Sequence, residues 1–311
     1  MYKEQLIQSL ERIKPFVHRT PVMTSQLLNE KSGARLFFKC ENFQKMGAFK
    51  MRGAANAILN LSDEQKAKGV VTHSSGNFAQ AVSLSARNAG VDAYIVMPSN
   101  APDVKKEAVR SYGGQITECE PLIEARQAEA DKIVAATGAT FLHPSNDLDV
   151  ILGQGTAGVE LIEDHPDLDF MMAPVGGGGL VAGCALAAYN FGDKCKTIGG
   201  EPFEADDAYR SLQSGTIEKN KTANTIADGL RTHLGDINFP IIQKYVESII
   251  RVEETEIIAA MKLIWERMKI IIEPSCAVPF AAVLREPNIF KNKKVGIVLS
   301  GGNVDIKKLP F

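Results

Sequence analysis

Several features that mark other classes of protein are missing from this sequence. Its five cysteines include no C-x-x-C pair, so neither a disulfide framework nor a zinc knuckle is indicated. Its 35 basic and 37 acidic residues nearly cancel, which leaves no polycationic surface for nucleic acid and no acidic tail. No window approaches the roughly 20 apolar residues of a membrane span, and the charged start at Lys3 and Glu4 is unlike a signal peptide. We therefore expect a cytoplasmic protein without a nucleic-acid or membrane partner.

Strand-like and helix-like segments, by contrast, alternate through most of the chain. Such alternation is typical of right-handed βαβ units and parallel sheets, and 311 residues that are 45% hydrophobic suffice for two modest domains. We predict an α/β fold whose small domain spans residues 69–144 and whose large domain combines residues 1–68 with 145–311. The predicted strands are 35–39, 69–72, 93–97, 115–119, 139–142, 169–175, 196–201 and 294–300, and the predicted helices are 4–14, 51–60, 77–88, 102–112, 122–136, 157–163, 180–190, 240–247, 254–270 and 276–284.

Four consecutive glycines, Gly176, Gly177, Gly178 and Gly179, follow a predicted strand and open a predicted helix. Backbone N–H groups and a helix N-terminus converge at such a turn and favour an anion. Four glycines in a row cost backbone entropy, so close approach of a ligand explains them better than a flexible turn alone. The segment predicts a phosphate-binding site.

A nicotinamide dinucleotide is an alternative ligand for the same turn. Residues 177–182 fit the dinucleotide fingerprint, and Glu201 ends the next strand where a ribose-binding acid is expected. The fingerprint is weak evidence when it stands alone. An NAD-dependent oxidoreductase would also leave Lys50 and the polar turn 300–303 without a task.

Polar residues Ser74, Ser75, Gly76 and Asn77 follow another predicted strand and precede a helix. Two hydroxyls, an amide and free N–H groups suit a carboxylate bound at the helix end. The alternatives are an ordinary helix N-cap, or a cofactor-free small-molecule sensor that uses this turn alone.

Lys50 lies near a predicted loop-to-helix junction, between Phe49 and Met51. A lysine amine that is unprotonated and partly desolvated can form a Schiff base with an aldehyde. A lysine in isolation is more often a surface charge. The reactive interpretation therefore depends on the glycine-rich turns, which end predicted strands where open α/β sheets bind their ligands.

Taken together, these segments resemble the fold-type-II pyridoxal-phosphate enzymes, and specifically the serine/threonine dehydratase group that includes serine racemases and threo-3-hydroxyaspartate dehydratases. The resemblance extends over nearly the whole chain. It implies a tryptophan-synthase-β-like architecture of two domains, with parallel-rich twisted sheets flanked by helices. The matching segments are 19–21, 37–41, 47–54, 74–77, 176–179 and 300–303.

This resemblance implies a role for each matched residue. Lys50 would bind pyridoxal 5'-phosphate covalently and act as the catalytic base, and Phe49 would pack on the cofactor ring. Asn77 would bond the ring 3-hydroxyl, Ser300 would face the pyridine nitrogen, and the four glycines would hold the phosphate. A neutral hydroxyl beside that nitrogen weakens the electron sink, which suits elimination or controlled proton return.

The resemblance also implies substrate-binding residues. The turn 74–77, together with the adjacent Phe78, would bind the substrate carboxylate. Phe78 stands where many relatives have histidine, and Ala48 stands where many have serine. Both departures leave the substrate preference open. Arg126 matches an arginine that in relatives can contact the distal group of the substrate. The alternative is that Arg126 forms a surface ion pair with Glu129.

Residues 201–207 resemble the segment that binds a divalent cation in relatives. Glu201 and Asp207 would supply carboxylates and Ala205 a carbonyl, oxygen ligands that suit magnesium, calcium or manganese. A solvated acidic loop is the alternative.

The leading functional hypothesis is elimination of water from serine, threonine or threo-3-hydroxyaspartate, which gives a 2-oxo acid and ammonia. A serine or aspartate racemase with side dehydratase activity is the alternative. Lys50 and Ser75 would then supply an acid/base on each face of the substrate, unless Ser75 only caps a helix.

The sequence ends at Phe311, soon after the 300–303 turn, so we expect no appended regulatory domain and no control by isoleucine. A homodimer is expected from base rates.

Overall fold

The computed structural model describes residues 2–311, and for position 123 its backbone only. Helices alternate with ten strands, which form two separate sheets. The strands are β1 Val22–Met23, β2 Arg35–Cys40, β3 Val70–His73, β4 Ala93–Pro98, β5 Gln115–Cys119, β6 Thr140–Phe141, β7 Phe170–Pro174, β8 Lys196–Pro202, β9 Val246–Val252 and β10 Lys294–Leu299. The helices are α1 Tyr2–Ile13, α2 Gln26–Ser32, α3 Lys50–Leu59, α4 Asp63–Lys68, α5 Asn77–Ala89, α6 Asp103–Ser111, α7 Ile123–Thr137, α8 Leu148–Asp164, α9 Gly179–Phe191, α10 Asp207–Ser214, α11 Phe239–Tyr245, α12 Glu254–Met268, α13 Pro274–Arg285 and α14 Pro287–Phe290.

The larger sheet has six strands in the order β1-β2-β10-β7-β8-β9. All its pairs are parallel except β1 with β2. Its central strands β7 and β10 are buried along almost their whole length, as expected for a parallel sheet covered on both faces. Because β2, β10 and β7 are neighbours and run parallel, the segments that follow them leave the sheet at one edge. That edge therefore collects the segment leading to Lys50, the 300–303 turn and the tetraglycine turn.

The smaller sheet contains β5, β4, β3 and β6 in that order, all parallel. All its strands lie between residues 70 and 141, inside the predicted small domain of residues 69–144. The division of the chain into domains itself stays a prediction. The central strand β3 ends at His73, so the Ser74–Asn77 turn leaves this sheet at its carboxyl edge.

The position of α3 depends on a close crossing with α8. A Cβ added at Gly153 of α8 would lie 2.5 Å from the backbone oxygen of Arg52, and one added at Gly53 would lie 2.9 Å from the backbone oxygen of Val150. Only glycine at these two positions lets the helices approach so closely. The crossing fixes the first turn of α3, and with it the backbone of Lys50.

The predicted elements are largely present, and most bounds differ by only a few residues. The helix predicted at 157–163 was wrong at its start, because α8 already begins at Leu148. Gly153 and Gly155 suggest a turn in the sequence, but in the structure they lie inside α8, where it packs closely on α3 and α9.

One strand was not predicted. The sequence analysis placed a helix near 240–247 and another at 254–270, with no strand between them. Residues 246–252 form β9, the edge strand of the large sheet, with Val246, Ile249, Ile250 and Val252 buried. A short run of β-branched residues between two helical patterns gives little periodicity of its own. Across the part of the chain that is described, no helix is long and apolar enough to cross a bilayer.

Candidate active site

Lys50 is the first residue of α3, and its amine is held by neighbours from distant parts of the chain. Its Nζ donates a 2.6 Å hydrogen bond to the backbone oxygen of Pro144. The rings of Phe49 and Phe78 have their centroids 5.0 and 5.6 Å from Nζ. Burial lowers the pKa of the Lys50 amine to about 7, although the charge of Glu273 acts in the opposite direction. A substantial fraction of the amine is therefore neutral near pH 7, as covalent chemistry with an aldehyde requires.

The segment before Lys50 pairs with the 300–303 turn. Phe49 N donates to Ser300 O at 3.0 Å, and Gly302 N donates to Gly47 O at 2.9 Å. Gly47 has a φ of +78°, and a Cβ there would lie 2.7 Å from Oδ1 of Asn303, so this close pairing requires glycine. The buried Ser300 is thereby bonded to the residue before Lys50, and its role at the pyridine nitrogen stays a prediction.

The tetraglycine turn follows β7 and starts α9. All four glycines are buried, and Gly178 adopts a left-handed φ of +83° just before the first helical residue, Gly179. The first-turn N–H groups of this 13-residue helix form the donor set that an anion needs. A Cβ at Gly177 would collide with Oγ of Ser145. Ser145 is the neighbour of Pro144, so this contact links the tetraglycine turn to the loop that holds the lysine amine.

The Ser74–Asn77 turn lies at the start of α5. Ser74 Oγ accepts a 3.3 Å hydrogen bond from Gly76 N, and the N-cap of the helix is Gly76, without a side-chain cap. Ser75 is therefore not the capping hydroxyl, which removes that alternative. Phe78 is buried and faces the lysine amine, so its ring helps to desolvate that amine.

Glu273 is a site residue that sequence reasoning missed. Both of its carboxylate oxygens accept from Nδ2 of Asn77, at 3.2 and 3.1 Å, while Oδ1 of Asn77 accepts from Nδ2 of Asn303 at 2.9 Å. Burial raises the pKa of Glu273 to about 7, and the hydrogen bond from Asn77 opposes this shift. Glu273 N donates to Gly301 O at 3.0 Å. An acid between the apolar residue Ile272 and Pro274 is a signal in the sequence that could have identified it.

A buried ion network beneath Lys50 was also missed. Arg52, two residues along α3, donates to Glu41 and Glu160 through 2.8–2.9 Å hydrogen bonds. Glu160 also accepts from Lys39 at 2.6 Å. Two cations and two carboxylates thus balance one another, which buried charges need. The network fastens α3 to β2 and α8.

Arg126 lies in the second turn of α7. The expected alternative partner, Glu129, pairs instead with Lys132 at 2.8 Å, so the surface pair with Arg126 is wrong. Its Nε is buried without a hydrogen-bond partner among the described atoms. The next residue, Gln127, lies 3.0 Å from His73, at the strand end that leads to Ser74. This turn of α7 is therefore close to the Ser74–Asn77 turn.

Glu201 and Asp207 are both fully buried. Glu201 accepts hydrogen bonds from the backbone N atoms of Ala208 and Tyr209 at 3.0 and 2.8 Å. Burial, followed by the charge of Asp207, raises the pKa of Glu201 well above its usual range, and burial raises that of Asp207. Neither acid forms a salt bridge among residues 2–311.

Two buried carboxylates without a salt bridge among the described residues fit a divalent cation, although the charge of His233 opposes the effect of burial on the pKa of Asp207. Asp206, the remaining acid of this segment, is paired with Arg210 and Arg251, both at 2.8 Å. Within the described residues there is no cluster of three histidine, cysteine or acidic side chains that could hold a metal. A third protein ligand would thus be a carbonyl, as predicted for the buried Ala205. Two carboxylates, one carbonyl and water molecules would form an all-oxygen coordination shell, which suits magnesium or calcium.

The geometry around Glu201 argues against the dinucleotide alternative. Each of its two oxygens accepts one hydrogen bond from the backbone of the next helix, and the side chain is buried. A ribose-binding acid must present its carboxylate to a large ligand in an open cleft, whereas a buried carboxylate keeps a second lone pair on each oxygen for a small cation.

Comparison with known proteins identifies the family of this chain. The family model of pyridoxal-phosphate-dependent enzymes matches residues 13–301. A β-hydroxyaspartate dehydratase of Paracoccus denitrificans is 48% identical over 308 residues, which cover 99% of this chain and 98% of that protein. An L-threo-3-hydroxyaspartate ammonia-lyase of Saccharomyces cerevisiae is 45% identical over 97% of this chain and 93% of its own.

Among solved structures, the serine racemase of Dictyostelium discoideum superposes with a TM-score of 0.94. Its sequence is 48% identical, and the match covers 98% of this chain and 99% of that one. The matched residues 13–301 include the lysine, the polar turn and the tetraglycine turn. This chain therefore belongs to the family of pyridoxal-phosphate-dependent enzymes.

Proposed function

We propose that this protein is a pyridoxal-phosphate-dependent ammonia-lyase that converts a small β-hydroxy amino acid to a 2-oxo acid and ammonia. The observation that carries the proposal is the Lys50 amine, which is desolvated between Phe49 and Phe78 and held by the Pro144 carbonyl. When bound, the cofactor supplies the aldehyde for covalent attachment and the electron sink that acidifies the α-carbon.

Lys50 is the base that removes the α-proton. Its pKa of about 7 allows the amine to accept a proton and to return it near neutral pH. The Pro144 carbonyl accepts from the amine and so orients it. The turn of Ser74, Ser75, Gly76, Asn77 and Phe78 binds the substrate carboxylate at the start of α5, where N–H groups and the helix dipole favour an anion.

The preferred substrate is threo-3-hydroxyaspartate, before serine and threonine. The buried Nε of Arg126 has no hydrogen-bond partner in the described structure, and an arginine recognises a carboxylate through two parallel hydrogen bonds. A β-carboxylate gives Arg126 that partner, which serine and threonine lack. Two relatives whose names specify hydroxyaspartate as the substrate support this choice.

Racemisation of serine or aspartate is the second candidate function. It needs a group on each face of the α-carbon, and the Ser75 hydroxyl is available because the N-cap of α5 is Gly76. The similarity to a serine racemase structure supports it. We expect dehydration to dominate, with a minor racemase activity.

Glu201, Asp207 and the carbonyl of Ala205 hold a divalent cation, of which magnesium, calcium and manganese are the candidates. We also propose a homodimer, the commonest oligomer of soluble proteins. All five cysteines are free, which supports a reducing compartment such as the cytoplasm.

An absorption spectrum of the purified protein tests the cofactor assignment. A band at roughly 410–420 nm that borohydride abolishes is expected for a lysine-bound pyridoxal phosphate. Assays of serine, threonine and both enantiomers of threo-3-hydroxyaspartate for oxo acid then identify the substrate. A colourless protein that pyridoxal phosphate cannot reconstitute, or a coloured one that forms no oxo acid from any of these, would overturn the proposal.

A further inference from the structure

The segment 229–234 lies against the tetraglycine turn. A Cβ added at Gly176 would lie 2.7 Å from Cα of Leu230, and one at Gly178 would lie 2.6 Å from Cδ2 of Leu234. Of these two glycines only Gly178 has a positive φ, so the backbone conformation does not by itself demand glycine at 176. Close packing against the segment does, which means that the segment shapes the turn.

The next glycine is covered in the same way. A Cβ at Gly177 would lie 3.0 Å from Oγ1 of Thr232. Three successive residues of the phosphate cradle are therefore each in contact with one part of the segment 229–234. A displacement of the segment would move N–H groups that the cofactor phosphate needs.

The segment has little regular structure of its own. It starts in a single 3-10 turn, Asp228–Leu230, and continues without helix or strand as far as 234. At its first residue, Gly229 N donates to Oγ of Ser275 at 3.0 Å. At its last residue, Leu234 N donates to Oδ2 of Asp207 at 3.3 Å. These side-chain anchors, rather than a helix or a sheet, hold the segment in place.

Asp207 fastens a second point of the same loop. Its Oδ1 accepts from Nδ2 of Asn220 at 2.6 Å, and Asn220 N donates to Nε2 of His233 at 3.1 Å. One buried carboxylate thus anchors residues 233 and 234, the first through Asn220 and the second directly. The same carboxylate is a proposed ligand of the divalent cation.

We propose that the segment 229–234 couples the cation site to the phosphate cradle, so that a cation at Glu201 and Asp207 tightens the binding of pyridoxal phosphate. This proposal rests on the cation site proposed above. A cation bound by both carboxylates fixes Asp207, and Asp207 fixes Leu234, whose side chain packs on Gly178. Coupling of two binding equilibria is reciprocal, so the cofactor must tighten cation binding by the same factor.

Cofactor release from the holoenzyme measures this coupling without any assay of turnover. The cofactor dissociation constant is obtained from the cofactor absorbance that remains at equilibrium after serial dilution, with excess magnesium or with chelator. Magnesium binding is measured by calorimetry on the holoenzyme and on the cofactor-free protein. We expect chelator to raise the cofactor dissociation constant by about fivefold or more, and cofactor removal to raise the magnesium dissociation constant by the same factor.

Leu234→Ala tests the route. It removes the contact with Gly178 but keeps the backbone N–H that bonds Asp207, so magnesium should still bind while its effect on cofactor release falls to about twofold or less. Leu234→Met, which keeps the length of the side chain, should retain the coupling, and it also serves if the alanine variant does not fold. The matched control is Leu212→Ala, on the helix that carries Asp207, where the coupling should be unchanged.

Each contrary result has its own meaning. If magnesium does not bind, the cation site itself is wrong and the coupling fails with it. If magnesium binds but does not change cofactor release, the coupling alone is wrong. If Leu234→Ala retains the full coupling, the segment 229–234 does not carry it, and the proposal is overturned.

Discussion

The Nζ of Lys50 lies 2.6 Å from the backbone oxygen of Pro144, which is 94 residues further along the chain. The hydrogen bond connects the first turn of α3 to the loop that packs on the tetraglycine turn. His143 supports that loop, since its Nδ1 accepts from the backbone N of Ser145 and Asn146 at 3.2 and 2.8 Å. Burial lowers the pKa of His143 to about 4. The ring therefore stays a neutral acceptor at physiological pH, and the amine keeps a fixed partner.

Lys50→Ala should abolish turnover, by about 10³-fold or more, because the variant loses both the covalent link and the base. The fold should persist, since alanine is tolerated at a first helical position. Steady-state assays, circular dichroism and the cofactor spectrum check these outcomes. Lys45→Ala, in the preceding 3-10 turn, is the control and should retain the cofactor band. More than a trace of activity in Lys50→Ala, without added amine, would contradict the assignment.

Glu273→Gln should remove a pH dependence of stability in the cofactor-free protein. The Glu273 carboxyl has a pKa of about 7 in the folded protein and 4.5 as its model value. The folded state therefore holds a proton that the unfolded state releases, and this stabilisation is present below pH ~4.5 and is lost as pH rises through about 7. Between these limits the free energy of unfolding of the unsubstituted protein should fall by about 1–3 kcal/mol relative to that of Glu273→Gln. Parallel denaturant titrations at pH 5 and pH 8 measure the difference, and equal pH profiles would show that Glu273 does not titrate in this window.

Magnesium should raise the melting temperature, and chelator should lower it, because a ligand that binds only the native state stabilises it by mass action. At about 100 times its Kd the gain is about 2.7 kcal/mol. Glu201→Ala should eliminate this response, whereas Glu204→Ala, in the same segment but exposed, should keep it. An equal response in both variants would place the cation elsewhere.

Arg126→Ala should impair the diacid substrate selectively. Loss of a charged, bidentate hydrogen bond is expected to lower kcat/KM for threo-3-hydroxyaspartate by about 10- to 100-fold. The value for serine should change within about twofold, since serine has no distal carboxylate. Arg110→Ala, at an exposed position of α6, the preceding helix in the chain, should affect neither. Equal losses for both substrates would return Arg126 to a structural role.

Ser75→Ala should separate racemisation from dehydration. Removal of an acid/base on one face should lower racemisation and the use of D-substrates by about 10- to 100-fold, with a smaller effect on L-substrates, which need only Lys50. Incubation of L-serine in deuterated water, with D-serine and pyruvate followed together, gives both rates. The control is Ser111→Ala, at the exposed end of α6. If no D-serine forms and Ser75→Ala changes nothing, the enzyme is a one-base dehydratase.

Local patterns were sufficient for much of the fold. The alternation of strands and helices, the tetraglycine turn that starts α9 and the junction at Lys50 each follow from residues adjacent in sequence, because helix and strand periodicity and glycine turns are short-range properties. The edge strand β9 was missed because its seven residues carry too little periodicity between two helices.

The sequence by itself determined which residues could react: a lysine among apolar neighbours, a glycine-rich anion site and a polar turn at a helix start. Only the tertiary structure decided their environment. The Pro144 carbonyl, the Glu273 carboxylate and the segment 229–234 come from distant parts of the chain, and they meet at the carboxyl edge of parallel strands whose order the sequence does not state. The pKa of Lys50 depends on burial within that assembly. Desolvation is a property of the packed protein, and no local pattern of residues encodes it.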